Sequence, residues 1–229
     1  RLDEDVRTVF DYVRSHVLAD APERLRHGCH LQGNEFNVTL KPNFETGSDR
    51  ASEIIDEALR YQVDLLGEAV AAECDLDGPA TEWARSHYAA ADPEIHTVLD
   101  RLDSLPPEDV DIPDPAQSLF DVIDVAYYEA DAAEIGSLEL NKVAGVEAAL
   151  DVLGVEDPFT LVMGDSKSDL RVMRWVHEHD YGIAAAPNHA SADVLDHVRE
   201  TDDLVFDRGA ADDTLRMAYA LNELAALDS

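Results

Sequence analysis

Apolar residues at Val6, Phe10, Val13 and Val17, with Val9 beside them, recur at helical spacing, so a first helix is expected to about His16. The period then changes. Phe36, Val38 and Leu40 alternate with Glu35, Asn37 and Thr39, which predicts a half-buried strand, with Gly33-Asn34 as a turn before it. From residue 48 to 73 the helical period returns. Ile54, Ala58, Tyr61, Leu65 and Ala69 share one face, and Ile55, Leu59, Leu66 and Val70 widen it, with Ser48 or Asp49 placed to cap the start.

Residues 75–117 are polar and rich in proline, and suit short helices over 80–90 and 94–102 followed by an acidic loop. Residues 121–140 carry alternating and β-branched or aromatic positions, which reads as one or two strands. After residue 141 helix and strand alternate. "KVAGVEAALDVLGV" is a helix ended by Gly154, and "FTLVMGD" is a continuous apolar strand of the kind buried on both faces of a parallel sheet. "SDLRVMRWVHEH", "YGIAAAP", "SADVLDHVRE", "DLVFD" and "DDTLRMAYALNELAAL" continue as helix, strand, helix, strand and closing helix. Such alternation predicts an α/β fold with a parallel sheet. Ligands of these sheets bind beyond the carboxyl ends of the strands, where Asp165 falls.

Composition narrows the setting. Asp and Glu number 50 against 17 Lys and Arg, a formal charge of −33, and the only lysines are Lys41, Lys142 and Lys167. A surface this acidic repels phosphate backbones and anionic lipid, so neither a nucleic-acid nor a membrane partner is expected. Acidity with little lysine suits a halophilic protein, whose self-repulsion is screened by salt. Hydrophobic residues make up 45% of the chain, which argues for a folded domain over disorder. Cys29 and Cys74 give no disulfide framework, and no apolar run approaches the length of a membrane span, so a cytoplasmic protein is expected.

The chemistry-bearing stretch is Gly164-Asp165-Ser166-Lys167-Ser168-Asp169. Two carboxylates at a strand-to-helix junction make a hard-oxygen site suited to Mg²⁺. The same residues suit helix N-capping, and the loop alone leaves both readings open.

Three pieces occur in order: Lys142 in "LNKVAGVEAAL", "GDSKSD", and Asn188 in "AAAPNHAS". Together they make residues 142–206 resemble the C-terminal half of the haloacid dehalogenase (HAD) superfamily core, in its type IIB sugar-phosphatase-like branch. The resemblance implies a Rossmann-like parallel core over 138–229 and an α+β cap domain over 1–137. It implies a Mg²⁺-dependent phosphatase that hydrolyses a small phosphorylated metabolite, such as a sugar phosphate, through an aspartyl-phosphate. Asp165 and Asp169 would be metal residues, Lys142 would offset charge on the phosphoryl oxygens, and Asn188 and Ser166 would contact substrate. A phosphomutase of the same fold and a non-catalytic binding protein are the alternatives.

Two motifs of that family are missing, the nucleophile strand end and the Ser/Thr after the second strand. The nucleophile strand ending in "DxDGT" is absent, and "DLDG" at residues 75–78 follows a long helix rather than an apolar strand, with Pro79 in place of threonine. The sequence starts at Arg1 without a methionine, and the expectation is that the nucleophile lies outside this chain. Other clusters carry less. His27, Cys29 and His30 have no second set of ligands at zinc spacing. Gln32, Asn34 and Asn37 suit an exposed strand face as well as a polar substrate, and Trp83, Tyr88, Tyr127 and Tyr128 are expected in a core.

Overall fold

The computed structural model describes residues 3–206, at 48, 49 and 167 by backbone alone, and residues 215, 216, 219, 220 and 223. The closing helix expected over 212–227 lies largely outside the described residues. The chain divides into two compact units, Arg1–Leu140 and Asn141–Ser229.

The first unit is α+β. Helices α1 (Glu4–His16) and α2 (Glu23–Gly28) precede strands β1 (Cys29–Gln32) and β2 (Asn37–Pro42). Helices α3 (Ser48–Glu73), α4 (Ala80–Ala91), α5 (Pro93–Arg101) and α6 (Asp114–Phe120) follow, then the hairpin β3 (Ile123–Tyr128) and β4 (Ala132–Ser137). The four strands are antiparallel in the order β1-β2-β4-β3. The apolar stripe of α3 fills the core: Ile55, Ala58, Leu59, Val63, Leu66 and Val70 are fully buried, as are Val38 and Leu40 of β2.

Several local expectations are corrected. Helix α3 takes Gly47 as its N-cap, and Ser48 is already helical. Thr39, expected on the solvent face, is buried because its hydroxyl donates to Glu134 Oε2 at 2.5 Å across the β2–β4 pair. Residues 29–32 form a strand that no alternation announced; four residues are too few to show a period.

Two carboxylates in this unit are closely paired. Asp56, 3% exposed, accepts from Tyr127 Oη at 2.6 Å and from Arg101 Nη1 at 2.6 Å. Asp64 takes two bonds from Arg85, at 2.6 and 2.7 Å, and one from Arg60 at 3.2 Å.

The second unit is α/β. Helix α7 (Lys142–Leu153) leads to β5 (Thr160–Met163), α8 (Lys167–Glu178), β6 (Gly182–Pro187), α9 (Ala192–Glu200) and β7 (Leu204–Phe206). Among the described residues the strands are parallel and ordered β5-β6-β7. Gly182, at φ +141°, lets β6 start against β5, since a side chain there would run into the backbone of Thr160.

The core of this unit gathers Leu170 and Met173 of α8, Ala184 and Ala186 of β6, and Val194 and Val198 of α9. The sequence predicted β5 to be buried on both faces. Its four residues are only partly buried, because among the described residues its one partner strand is β6 and no residue of α7 is buried. Val152 and Leu153 of α7 are 87% and 73% exposed, and Phe159 ahead of β5 is 72% exposed. No helix among the described residues is long and apolar enough to cross a membrane.

Candidate functional site

The site is built where β5 ends. Asp165 follows Gly164 off the strand and is exposed, Ser166 is the N-cap of α8, and Asp169 is the third residue of that helix. From this position Asp169 reaches back over the loop. Its Oδ2 accepts from the Asp165 and Ser166 amides, both at 3.2 Å, and from Ser166 Oγ at 2.9 Å. This is the carboxylate arm of a capping box, and it satisfies amides that the helix leaves open. Gly164 is required beneath it, because a side chain there would overlap Asp169 Cβ and Cγ. Ser168 Oγ lies 2.9 Å from Ser166 Oγ.

The other oxygen of Asp169 meets Lys142, whose Nζ donates to Oδ1 at 2.5 Å. Burial alone would raise the Asp169 carboxyl, but the Lys142 ammonium and the Ser166 donors outweigh it and hold it below its ordinary value. Lys142 is the first residue of α7, where a cation opposes the helix dipole. Asp169 offsets that opposition. Asn141, the N-cap of α7, accepts from the Val143 and Ala144 amides at 2.8 and 3.2 Å and so fixes where Lys142 starts.

The loop after β6 joins the same end of the sheet. The Ser191 amide donates to the Asp165 carbonyl at 2.8 Å, and the Asn188 amide donates to the Phe206 carbonyl at 3.0 Å. The loops after β5 and β6 are thereby tied to each other and to the last residue of β7. Thus Lys142, Asp165, Ser166 and Asp169 share one hydrogen-bonded cluster. Asn188 is linked to it through its loop.

Asn141 and Ser191 were not singled out in the sequence. Their signals were local: an Asn just before the helical run at 142, and "AS" at the start of the run at 192.

The remaining candidates are placed elsewhere. His27 lies in the last turn of α2, while Cys29 and His30 open β1. Burial, with Glu57 second, pushes the Cys29 thiol up to about 11, which leaves it an inert core group. Asn34 and Asn37 serve the turn before β2: Asn37 Oδ1 accepts from the Asn34 amide and Asn34 Oδ1 from the Phe36 amide, both at 2.8 Å. Gln32 ends β1 and is exposed. Trp83, Tyr88 and Tyr127 are buried and Tyr128 is partly buried. "DLDG" lies in the connection between α3 and α4, with Asp75 in the left-handed region at φ +52°.

Taken together, this is a mixed α/β protein with an acidic loop at the carboxyl end of a parallel strand, braced by a lysine from a neighbouring helix. Comparison with protein-family profiles finds no match, and comparison with curated proteins finds none either. Among solved structures the chain aligns with a haloacid dehalogenase-like hydrolase from Bacteroides thetaiotaomicron at 16% identity and a TM-score of 0.29. That alignment covers 50% of this chain and 48% of the other.

Proposed function

We propose that this chain is part of a Mg²⁺-dependent phosphatase of the HAD type, acting on a small phosphorylated metabolite. The observation that carries the reading is the Lys142–Asp169 contact at 2.5 Å beside the exposed Asp165. It sets a cation and a solvent-facing carboxylate at the carboxyl end of a parallel strand. The ordered motifs of Lys142, "GDSKSD" and Asn188 support the same reading.

Asp165 fits a magnesium ion, a hard cation that takes carboxylate oxygen and completes its shell with water and phosphate. Asp169 does not fit as a direct ligand in this arrangement, since both its oxygens already receive donors. It fits as a group that positions Lys142 and the loop, or that holds a metal-bound water. Among the described residues no three His, Cys, Asp or Glu side chains converge as a metal set. The ion, when bound, neutralises charge on the phosphoryl group. Lys142 draws the phosphoryl oxygens as a compact cation. The Ser166 hydroxyl donates to a phosphoryl oxygen, and Asn188 orients the substrate.

The nucleophilic aspartate belongs, in this reading, to a strand outside these residues. Among the described residues β5 pairs with β6 alone and α7 buries no residue, which leaves room for it. That aspartate would attack phosphorus and release the alcohol, and water would then cleave the aspartyl-phosphate to inorganic phosphate.

The test is hydrolysis of a generic phosphate ester with Mg²⁺, by this chain and by the protein that the complete reading frame encodes. Turnover is expected only in the latter, and Lys142→Ala or Asp165→Asn should each lower it about a hundredfold or more. Undiminished turnover in Asp165→Asn would overturn the assignment. A complete protein that binds phosphate esters without turning them over would make it a binding protein.

A further inference from the structure

Helix α7 carries Lys142, yet among the described residues none of its own side chains is buried, and α8 is its main neighbour. A side chain added at Gly145, within a turn of Lys142, would meet no other described element, so that turn is secured neither by packing nor by helix propensity. A cleft of about 570 Å³ opens between the two helices, with Asn141 and Val143 on one side and Leu170, Arg174 and Trp175 on the other. Lys142 also sits at the end of α7 where the helix dipole disfavours a cation. Its place is left to polar contacts.

Two such contacts join α7 to α8. In the first, Lys142 Nζ donates to Asp169 Oδ1 at 2.5 Å. The second lies further along both helices, where Trp175 Nε1 donates to Glu147 Oε1 at 3.2 Å. The contacts are about 7.5 Å apart along α7 and about 9 Å apart along α8, so the helices run in the same sense. Glu147 is exposed, and the indole is the fixed partner. Trp175 is 8% exposed, edge-on to Tyr181 with ring centroids 5.3 Å apart and tilted on His179 at 5.2 Å. The Tyr181 carbonyl accepts from the Thr160 amide at 2.6 Å, which holds this aromatic group against the start of β5. One contact alone would let α7 pivot about the lysine. Two contacts set both its slide and its angle on α8.

We propose that Glu147 and Trp175 are positioning residues for Lys142: their hydrogen bond seats α7 on α8 and so sets the reach of the Lys142 ammonium to Asp169 and to a phosphoryl oxygen. The part concerning the phosphoryl oxygen rests on the phosphatase reading above, while the seating rests on the geometry alone. Without the Glu147 acceptor the Trp175 N–H loses its partner and α7 its second point of hold, while Asp169 keeps its bonds to the Asp165 and Ser166 amides. Glu147→Ala places a better helix former at an exposed position, so α7 itself is not weakened by the change.

The test reads Lys142 directly in the 229-residue chain. With three lysines in all, nitrogen-labelled lysine gives three side-chain ammonium signals, and Lys41, which bonds Asp131 at 3.0 Å, is the reference. In Glu147→Ala the Trp175 indole N–H signal should move upfield, and hydrogen exchange at the Lys142 ammonium should quicken about fivefold, the size of one ordinary hydrogen bond, with Lys41 unchanged. Glu147→Gln, whose carboxamide oxygen still accepts from Trp175, should restore the wild-type rate. Unchanged exchange at Lys142 in Glu147→Ala, or equal quickening in Glu147→Gln, would overturn the proposal. A wild-type Lys142 that exchanges as fast as free lysine would do the same.

In the protein that the complete reading frame encodes, Glu147→Ala should lower phosphate-ester turnover about fivefold, and Glu147→Gln should restore it. Unchanged turnover in Glu147→Ala would overturn the catalytic half of the proposal. No turnover in any form, with the Lys142 ammonium responding as expected, would sink the phosphatase reading and leave the seating of α7 in place.

Discussion

The two units bury their helices in opposite ways. In the first, α3 sinks a broad apolar stripe between a four-stranded sheet and the helices α1, α4 and α5, and its buried carboxylate Asp56 is closed off by Tyr127 and Arg101. In the second, α7 is more apolar in sequence, "KVAGVEAALDVL", yet buries no residue. Strand β5 beside the candidate site is likewise only partly covered. The first unit spends its apolar side chains on its own core. Among the described residues the second leaves a helix and a strand side uncovered next to its charged loop. Apolar sequence alone does not fix burial: of α3 and α7, both apolar, only α3 is covered among the described residues.

Truncation should expose this difference most strongly. Leu59→Ala, at a fully buried position of α3, is expected to cost about 3 kcal/mol, through lost transfer energy and a cavity. Val152→Ala on α7, where the valine is 87% exposed, should change stability by no more than about 0.5 kcal/mol. Urea unfolding of both variants gives the comparison, and equal losses would mean that α7 is covered in solution.

A smaller effect separates the two buried or half-buried carboxylates. Asp56→Ala leaves the Tyr127 hydroxyl without its acceptor and should cost about 2 kcal/mol. Asp169→Ala removes only the capping arm and the Lys142 contact, for about 1 kcal/mol, and the loss should be confined to exchange of amides at the start of α8. A global loss of the Asp56 size at Asp169 would show that the second unit depends on this loop for its fold.

The smallest expected effect is one of pH. The Asp169 carboxyl is held below its ordinary value, so its contribution is complete above the unfolded carboxylate value of about 3.9 and is lost as pH falls through the folded one. Asp169→Asn should flatten acid loss of α8 protection only in that low window. A difference between variant and wild type near neutrality would contradict the assignment.

The sequence by itself determined the elements whose signal is local and long. The stripe from Ile54 to Val70 defined α3, and the run "TLVM" followed by Gly164 and "DSKSDL" defined a strand, a loop and a helix start. The positions of Asp165, Ser166 and Asp169 relative to one another were legible for the same reason, since a capping box spans one helical turn. Short elements were not legible: β1 and α2 have four and six residues, too few to repeat a period.

Only the tertiary structure decided which distant residues meet. Lys142 and Asp169 stand 27 positions apart, and their contact depends on the starts of α7 and α8 being brought side by side. The same holds for Tyr127 on Asp56, 71 positions away, and for His177 on His197, 20 positions away. Helical and strand periods are set by neighbours within a turn. Pairing across elements is set by the packing of whole helices and sheets, which no short stretch of sequence encodes.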